Sequence, residues 1–269
     1  MTTWMILAAG AVTVTAAARS TWSPCGLSML ASITPLSEGG RGHRYRTTAS
    51  WFVVGALVGG TILGIVVAAF AVGIREMTLS TTEIATIAFG GSTAAALSDI
   101  GRSRFRLPIH HRQVNERWLD QFRPWVYGAG FGAQIGAGLA TYIVTAAVYL
   151  MILLAALTGN PWIAVIAGAL FGLVRGLAVF LGRRITNSET LRTFHVRFHD
   201  LGPKVRLATI VVELAAVALF AWELSPWVAV GLVVGAVTWG LARLPSRIGA
   251  RSTTGKDVAG PQLRPSPVE

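Results

Sequence analysis

Residues 2–35 read TTWMILAAGAVTVTAAARSTWSPCGLSMLASITP, an apolar run with Pro24 inside it and Pro35 at its end. A continuous helix of this length would reach about 50 Å, whereas the hydrocarbon core of a bilayer is about 30 Å thick. Pro24 has no N–H to donate and clashes with the preceding turn, so we expect the helix to break there. Such breaks at membrane depth occur where the chain faces protein or a cavity. The apolar segment 125–157 is similarly long, so it too must tilt strongly, protrude or break.

The composition indicates a membrane protein. The chain has 269 residues, of which 53% are hydrophobic and 13% charged, whereas soluble domains carry about 25% charged residues. This excludes an ordinary soluble globular protein. A single cysteine excludes an internal disulfide framework and a cysteine-based zinc site. The apolar runs predict an all-α polytopic protein with about seven transmembrane helices, at roughly 2–35, 50–74, 81–100, 125–157, 162–182, 207–224 and 226–242.

The positive charges predict the orientation. The net charge of +11 would suggest nucleic-acid binding in a soluble protein, but nearly all of the 23 Lys and Arg residues lie in segments 35–49, 101–124, 183–206 and the tail. These segments alternate with nearly uncharged turns. The positive-inside rule then places the N-terminus outside and the C-terminus in the cytoplasm of a bacterial inner membrane. The expected partner of these charges is the lipid bilayer, with no nucleic acid.

Two stretches carry a resemblance to a known family. Ser23-Pro24-Cys25, at the end of a glycine-containing helix, and GAGFGAQIGAGL at 128–139 resemble the CcdA/DsbD transmembrane family of thiol–disulfide carriers, within the LysE-like transporter superfamily. The resemblance covers about residues 4–223. Two features depart from that family: Gln134 or its neighbours stand where a second cysteine is expected, and Gly26 replaces the proline after Cys25.

The resemblance implies a domain organisation. Residues 1–100 would form a first three-helix repeat, and 125–224 an inverted second repeat that contains the basic loop 183–206. Between them lies a basic cytoplasmic loop, 101–124. An extra transmembrane helix at 225–244 and a disordered cytoplasmic tail at 245–269 would follow.

Two functions stay open. The first is a small-solute transporter or membrane assembly factor. The alternative is thiol–disulfide transfer in cytochrome c biogenesis, in which Cys25 would react with a cysteine of a thioredoxin-like or other membrane protein; one thiol cannot complete that cycle alone. The favoured interpretation of Cys25 is a small buried residue beside a helix break. We expect no cofactor and no metal, and enzyme activity stays open, with its absence favoured. We also expect a substrate pathway formed by Arg19, Pro24, Gln134, Arg175 and Glu213.

Charged residues inside the predicted spans are the strongest functional candidates. Arg175 and Glu213 each lie about 10 Å below the inner surface, given the helical rise, and we predict that they contact each other. That contact would be either a structural ion pair or a substrate or proton site. Arg19 could bind an anion or extend to the interface, while Glu83 and Asp99 stand at span ends and are expected to be solvated.

Smaller patterns predict local structure. An amphipathic helix is expected from Ser188 to a stop at Gly202-Pro203, and a second one around Val114, Trp118 and Phe122. His195 and His199 share a helix face, where polar headgroup contacts are favoured over a metal. Glycines at four-residue spacing predict close helix packing at Gly60/Gly64, Gly128/Gly132/Gly136, Gly168/Gly172/Gly176 and Gly231/Gly235.

Overall fold

The computed structural model describes residues 3–101, 122–138 and 143–226. These ranges contain nine α-helices and one 3₁₀ helix, without any strand. The predicted helix around Val114, most of the loop 101–124, the seventh predicted span beyond Pro226 and the tail 245–269 lie outside the described residues. The α-helices are α1 (Thr3–Thr21), α2 (Pro24–Ser32), α3 (Pro35–Gly40), α4 (Tyr45–Glu76), α5 (Thr81–Ile100), α6 (Pro124–Gly136), α7 (Ala147–Leu157), α8 (Pro161–Leu177) and α9 (Ser188–Leu224); the 3₁₀ helix is Ala178–Arg184.

Three helical stretches of the described residues are long and apolar enough to cross a membrane. They are Tyr45–Glu76, Pro161–Arg184 and Ser188–Leu224. The side chains of Val58, Ile65 and Phe70 on α4 are exposed on the surface of the bundle. Contiguous exposed apolar surface is costly in water and favourable in lipid, so the chain is a membrane-associated helical protein.

Both long apolar segments are divided into separate helices, which for the second segment selects a break among the alternatives of tilting, protruding and breaking. The first helix ends at Thr21 and α2 begins at Pro24, where the Ser23 hydroxyl accepts a hydrogen bond from the backbone N–H of Gly26 at 3.1 Å. The second long segment divides into α6 and α7. Just after α6, Gly138 has φ +67°, a conformation that favours glycine and cannot continue a right-handed helix.

The predicted stop at Gly202-Pro203 is wrong, because α9 runs unbroken through both residues. Pro203 leaves only one carbonyl, that of His199, without its helical donor. The N-terminal half of α9 is held in place by Trp22, whose ring stacks on Phe198 with centroids 4.5 Å apart. The indole Nε1 also donates to the Phe198 carbonyl oxygen at 2.7 Å. The amphipathic and apolar parts therefore form one helix, and the Trp22 contacts stabilise its N-terminal half.

Glycines bring α6 and α8 against two sides of α4, as their spacing predicts. A Cβ atom added at Gly136 on α6, or at Gly172 on α8, would overlap the carbonyl oxygen of Ala56 on α4. Gly60 on α4 lies against Gly168 and Gly172. Backbones this close gain dispersion contacts that larger side chains would prevent. The last predicted pair, Gly231/Gly235, lies outside the described residues.

Candidate functional site

A buried arginine joins the two broken helices. Arg175 on α8 is 2% exposed; its Nη1 donates to the Ile135 carbonyl oxygen at 2.6 Å, and its Nη2 to the Ser20 carbonyl oxygen at 3.4 Å. We call this set the junction. Ser20 lies in the last turn of α1 and Ile135 in the last turn of α6. Each of these carbonyls accepts one backbone N–H, from Ser23 and Gly138, and has a second lone pair for the arginine. Because helix C-termini carry the negative end of the helix dipole, the guanidinium stabilises both helix ends.

The predicted residues Cys25 and Gln134 lie next to the junction. Cys25 is 4% exposed, near the start of α2, and its sulfur is within electrostatic reach of Arg175. Gln134 precedes Ile135 on α6 and is half-buried. The backbone carbonyl of Ile135 meets the arginine, a role that no side-chain pattern could have predicted.

The predicted contact between Arg175 and Glu213 is wrong. Arg175 binds the junction carbonyls, whereas both carboxylate oxygens of Glu213 are buried and accept no hydrogen bond from any described residue. Glu213 itself is 1% exposed, on the part of α9 that packs against α5 and α1. Equal depth was the basis of the prediction, and depth does not fix the direction in which a helical residue points.

Ser92 and Glu213 lie at the same level of the bundle. Arg206 on α9 donates to the Asp99 carbonyl oxygen on α5 at 2.7 Å, which sets the register of these two packed helices. Glu213 follows Arg206 by seven residues and Ser92 precedes Asp99 by seven, about 10 Å along each antiparallel helix. The Ser92 hydroxyl is buried and likewise has no hydrogen-bond partner among the described residues.

Asp99 stands at the end of a predicted span, where we expected a solvated side chain, but the structure gives it contacts with the protein. It is half-buried, and its Oδ1 accepts a hydrogen bond from the backbone N–H of Ala146 at 2.8 Å, just before α7. The Thr145 hydroxyl donates to its other oxygen. Asp99 therefore anchors the start of α7 after the second break, and it lies within electrostatic reach of Glu213. The other span-end acid, Glu83, is exposed and caps α5.

Sequence reasoning missed Glu38, a fully buried carboxylate on α3. Its oxygens accept hydrogen bonds from the Tyr127 hydroxyl at 2.7 and 2.8 Å and from the Thr48 hydroxyl at 2.5 Å. Arg41 forms an ion pair with it at 3.3 Å. The residue ties α3 to the starts of α4 and α6. The signal for it in the sequence was that Glu38 is the first acidic residue of the chain, inside a basic segment.

Arg19 and Pro24 lie apart from the junction. They line an open cleft of about 960 Å³ between the first helix break and the N-terminal half of α9, together with His195, His199 and Arg206. In the part of the chain that the structure describes, no three His, Cys, Asp or Glu side chains come together as metal ligands. The predicted pathway residues therefore divide among the junction, the cleft and the buried Glu213.

These features define a class: a helical, membrane-associated protein with two broken helices that meet at one arginine. A relative from Paracoccus denitrificans, named methylamine utilization protein MauF, is 34% identical over 65% of this chain and 63% of its own length. A protein of the same name from Paracoccus versutus is 30% identical over 60% of the chain and 59% of its own length, and one from Methylorubrum extorquens 26% identical over 75% and 71%. The chain spans about three fifths of the length of the two Paracoccus relatives.

These comparisons correct the resemblance to the CcdA/DsbD family. The relatives carry the name MauF, and no protein-family model matches the chain. No solved structure matches it either. The Ser-Pro-Cys motif marks a helix break, and three residues of this type are too short a pattern to identify a family.

Proposed function

We propose that the chain is a multi-pass membrane carrier of a small cationic solute, and that Glu213 takes the cation. The observation that carries this proposal is the burial of a carboxyl group whose two oxygens have no hydrogen-bond partner among the described residues. A buried ionisable group inside a membrane protein is costly and is usually paired or functional. Because Arg175 does not pair with Glu213, these two residues do not form a structural ion pair. We therefore favour the other interpretation of Glu213, a substrate or proton site.

The neighbours of Glu213 support a cation. Asp99 is a second carboxylate within electrostatic reach of Glu213, and Arg19, which Asp99 also reaches, offsets part of its charge. Ser92, at the same level, has a buried hydroxyl that does not bond back to its own helix, although the hydroxyl of the adjacent Thr93 donates to Phe89 at 2.8 Å. A serine in a helix commonly makes that bond. Its absence leaves the Ser92 oxygen available to a ligand.

The relatives' name supplies the solute class. They are methylamine utilization proteins, and a protonated amine is a small cation of the kind that a buried carboxylate binds. Methylammonium is therefore the solute we propose to test. Broken helices that face the bundle interior are typical of membrane carriers, and the two breaks of this chain meet at the junction.

The test is uptake of radiolabelled methylammonium into proteoliposomes with an inside-negative potential. We expect the full chain to accelerate uptake over empty liposomes. Glu213→Gln should slow it about tenfold, the effect of losing one charge-assisted contact. Glu223→Gln is the matched control, because Glu223 is exposed on the same helix, and it should leave the rate unchanged. Equal uptake with and without protein would refute transport and favour a membrane assembly role. An unchanged rate in Glu213→Gln would refute the assignment of the site.

For the topology we propose seven spans in the bacterial inner membrane, with the N-terminus outside and three-helix repeats at 1–100 and 125–224. The contacts of Glu38 with Thr48 and Tyr127 support this, because they bring the starts of α4 and α6 to one end of the bundle, beside the basic segments. In a Cys25→Ser background, Glu76→Cys should react with an impermeant maleimide added outside and Glu189→Cys should not. The reverse labelling would refute the orientation.

Thiol–disulfide transfer is not part of the proposal. Cys25 is buried, and the sequence contains no second cysteine to resolve a mixed disulfide. Cys25→Ser proteoliposomes should therefore take up methylammonium at the rate of the unmodified chain. Suppose instead that Cys25→Ser loses uptake and that oxidising the unmodified chain has the same effect. Uptake would then depend on the thiol, and this expectation would be wrong.

A further inference from the structure

The cleft beside the first helix break combines basic groups with apolar walls. Arg19 comes from α1, whereas His195, His199 and Arg206 come from α9. The described residues that line the cleft include no acidic side chain. Arg19 and Arg206 carry positive charge on the cleft wall, and Asp99, the carboxylate within electrostatic reach of Arg19, does not line the cleft. The cleft is therefore electrostatically suited to an anion.

Arg19 is the group with the least protein contact. It is half-buried in an apolar helix, and its guanidinium makes no hydrogen bond or ion pair with a described residue. Arg206 differs, because its Nε and Nη2 are committed to the Asp99 carbonyl oxygen at 3.2 and 2.7 Å, leaving Nη1 available. His195 has Nδ1 3.0 Å from the Leu191 carbonyl oxygen, leaving Nε2 available. Donors from two helices, the guanidinium of Arg19 on α1 and Nη1 of Arg206 on α9, are thus left for an anionic ligand.

The walls of the cleft indicate the kind of anion. Leu27, Leu207 and Ile210 line it together with the rings of Trp22 and Phe198. Its volume of about 960 Å³ is far more than an inorganic phosphate fills and lies at the upper end of the range for small-molecule sites. A ligand that suits both the arginines and the apolar walls has a phosphate group and hydrocarbon chains.

We propose that the cleft binds the headgroup phosphate of an anionic phospholipid from the leaflet next to the basic segments. Arginine forms short, charge-assisted, often bidentate bonds with phosphate oxygens. Basic pockets between helices on the cytoplasmic side commonly hold such headgroups. A lipid here covers the gap between α1 and α9 and neutralises Arg19. The proposal is independent of solute transport.

The test measures thermal unfolding of the full chain in detergent with phosphatidylglycerol, phosphatidylcholine or inorganic phosphate added. Phosphatidylglycerol should raise Tm in a saturable way, and the other two should not. Arg19→Gln should weaken the apparent affinity about tenfold, whereas Arg19→Lys, which keeps the charge, should retain part of it. Arg192→Gln is the matched control, an exposed arginine on α9 that does not line the cleft.

A second measurement guards against poor folding of the variants. Mass spectrometry of the purified protein should detect phosphatidylglycerol that copurifies with the unmodified chain and with Arg192→Gln, at reduced occupancy in Arg19→Gln. Equal stabilisation by phosphatidylcholine or by inorganic phosphate would overturn the proposal. Equal phosphatidylglycerol occupancy in Arg19→Gln and Arg192→Gln would overturn it as well.

Discussion

Alanine at Gly60 should separate α4 from α8 and destabilise the bundle. A Cβ atom built at Gly60 would lie 2.7 Å from Gly172 Cα and 2.8 Å from Gly172 N. Ordinary van der Waals contact begins at 3.4 Å, so the shortfall to Gly172 Cα is 0.7 Å. The atoms in the way belong to the backbone, so a side-chain rotation cannot relieve the overlap. One of the two helices has to move.

The cost follows from two opposing effects. Overpacking of a tight interface costs about 1–3 kcal/mol, whereas replacing glycine by alanine in a helix gains about 0.5–1 kcal/mol. Gly60→Ala should therefore lower the free energy of unfolding by about 1 kcal/mol on balance. Gly73→Ala is the matched control on the same helix, because no described atom lies within 4 Å of its added Cβ. It should be neutral or slightly stabilising.

The assay is reversible unfolding of the purified protein in mixed micelles, titrated with dodecyl sulfate and followed by helical circular dichroism. The difference between the two variants should be about 2 kcal/mol, since the helical gain is common to both. A Gly60→Ala variant at least as stable as Gly73→Ala would refute the close packing of α4 on α8. It would also remove the reason we give for the glycine spacing.

Three further substitutions test single contacts by the same titration. Trp22→Phe keeps a ring on Phe198 but loses the indole donor, and should cost about 1 kcal/mol; no loss would contradict the hydrogen bond. Arg175→Lys keeps the charge but loses the fork that reaches two carbonyls, and should cost about 1–3 kcal/mol; full stability would mean that one of the two bonds contributes nothing. Glu38→Gln should cost about 2 kcal/mol, and its effect should be non-additive with that of Tyr127→Phe; additive losses would contradict the contact.

The helix breaks could be predicted because their causes are local. Pro24 lacks the N–H that a helix interior uses and clashes with the preceding turn, which disfavours a continuous helix. The second segment is longer than the hydrocarbon core, which required it to tilt, protrude or break. The spacing of the glycines likewise predicts which helix faces pack closely. Pro203 shows the limit of the local rule, because Trp22 holds the helix from a site 176 residues away in sequence.

The partners of the buried charges could not be predicted. Arg175 binds the backbone carbonyls of Ser20 and Ile135, and since every residue has a carbonyl, no residue type marks that role. The sequence gives the depth of Arg175 and Glu213 through the helical rise. It does not give their rotation about the bundle, which depends on how α8 and α9 pack on other helices. Glu38 was missed for the same reason, because two of its donors, Thr48 and Tyr127, come from two other helices.

The position of Arg175 bears on where a cationic solute could bind. The C-terminal ends of broken helices carry partial negative charge, and in carriers they commonly coordinate cations. In this chain the guanidinium of Arg175 already occupies the ends of both α1 and α6. A second cation at the junction would be repelled by that charge and would find its carbonyls in use. No described residue donates a hydrogen bond to the buried carboxylate oxygens of Glu213. A cationic solute could therefore bind Glu213 without displacing a described protein group.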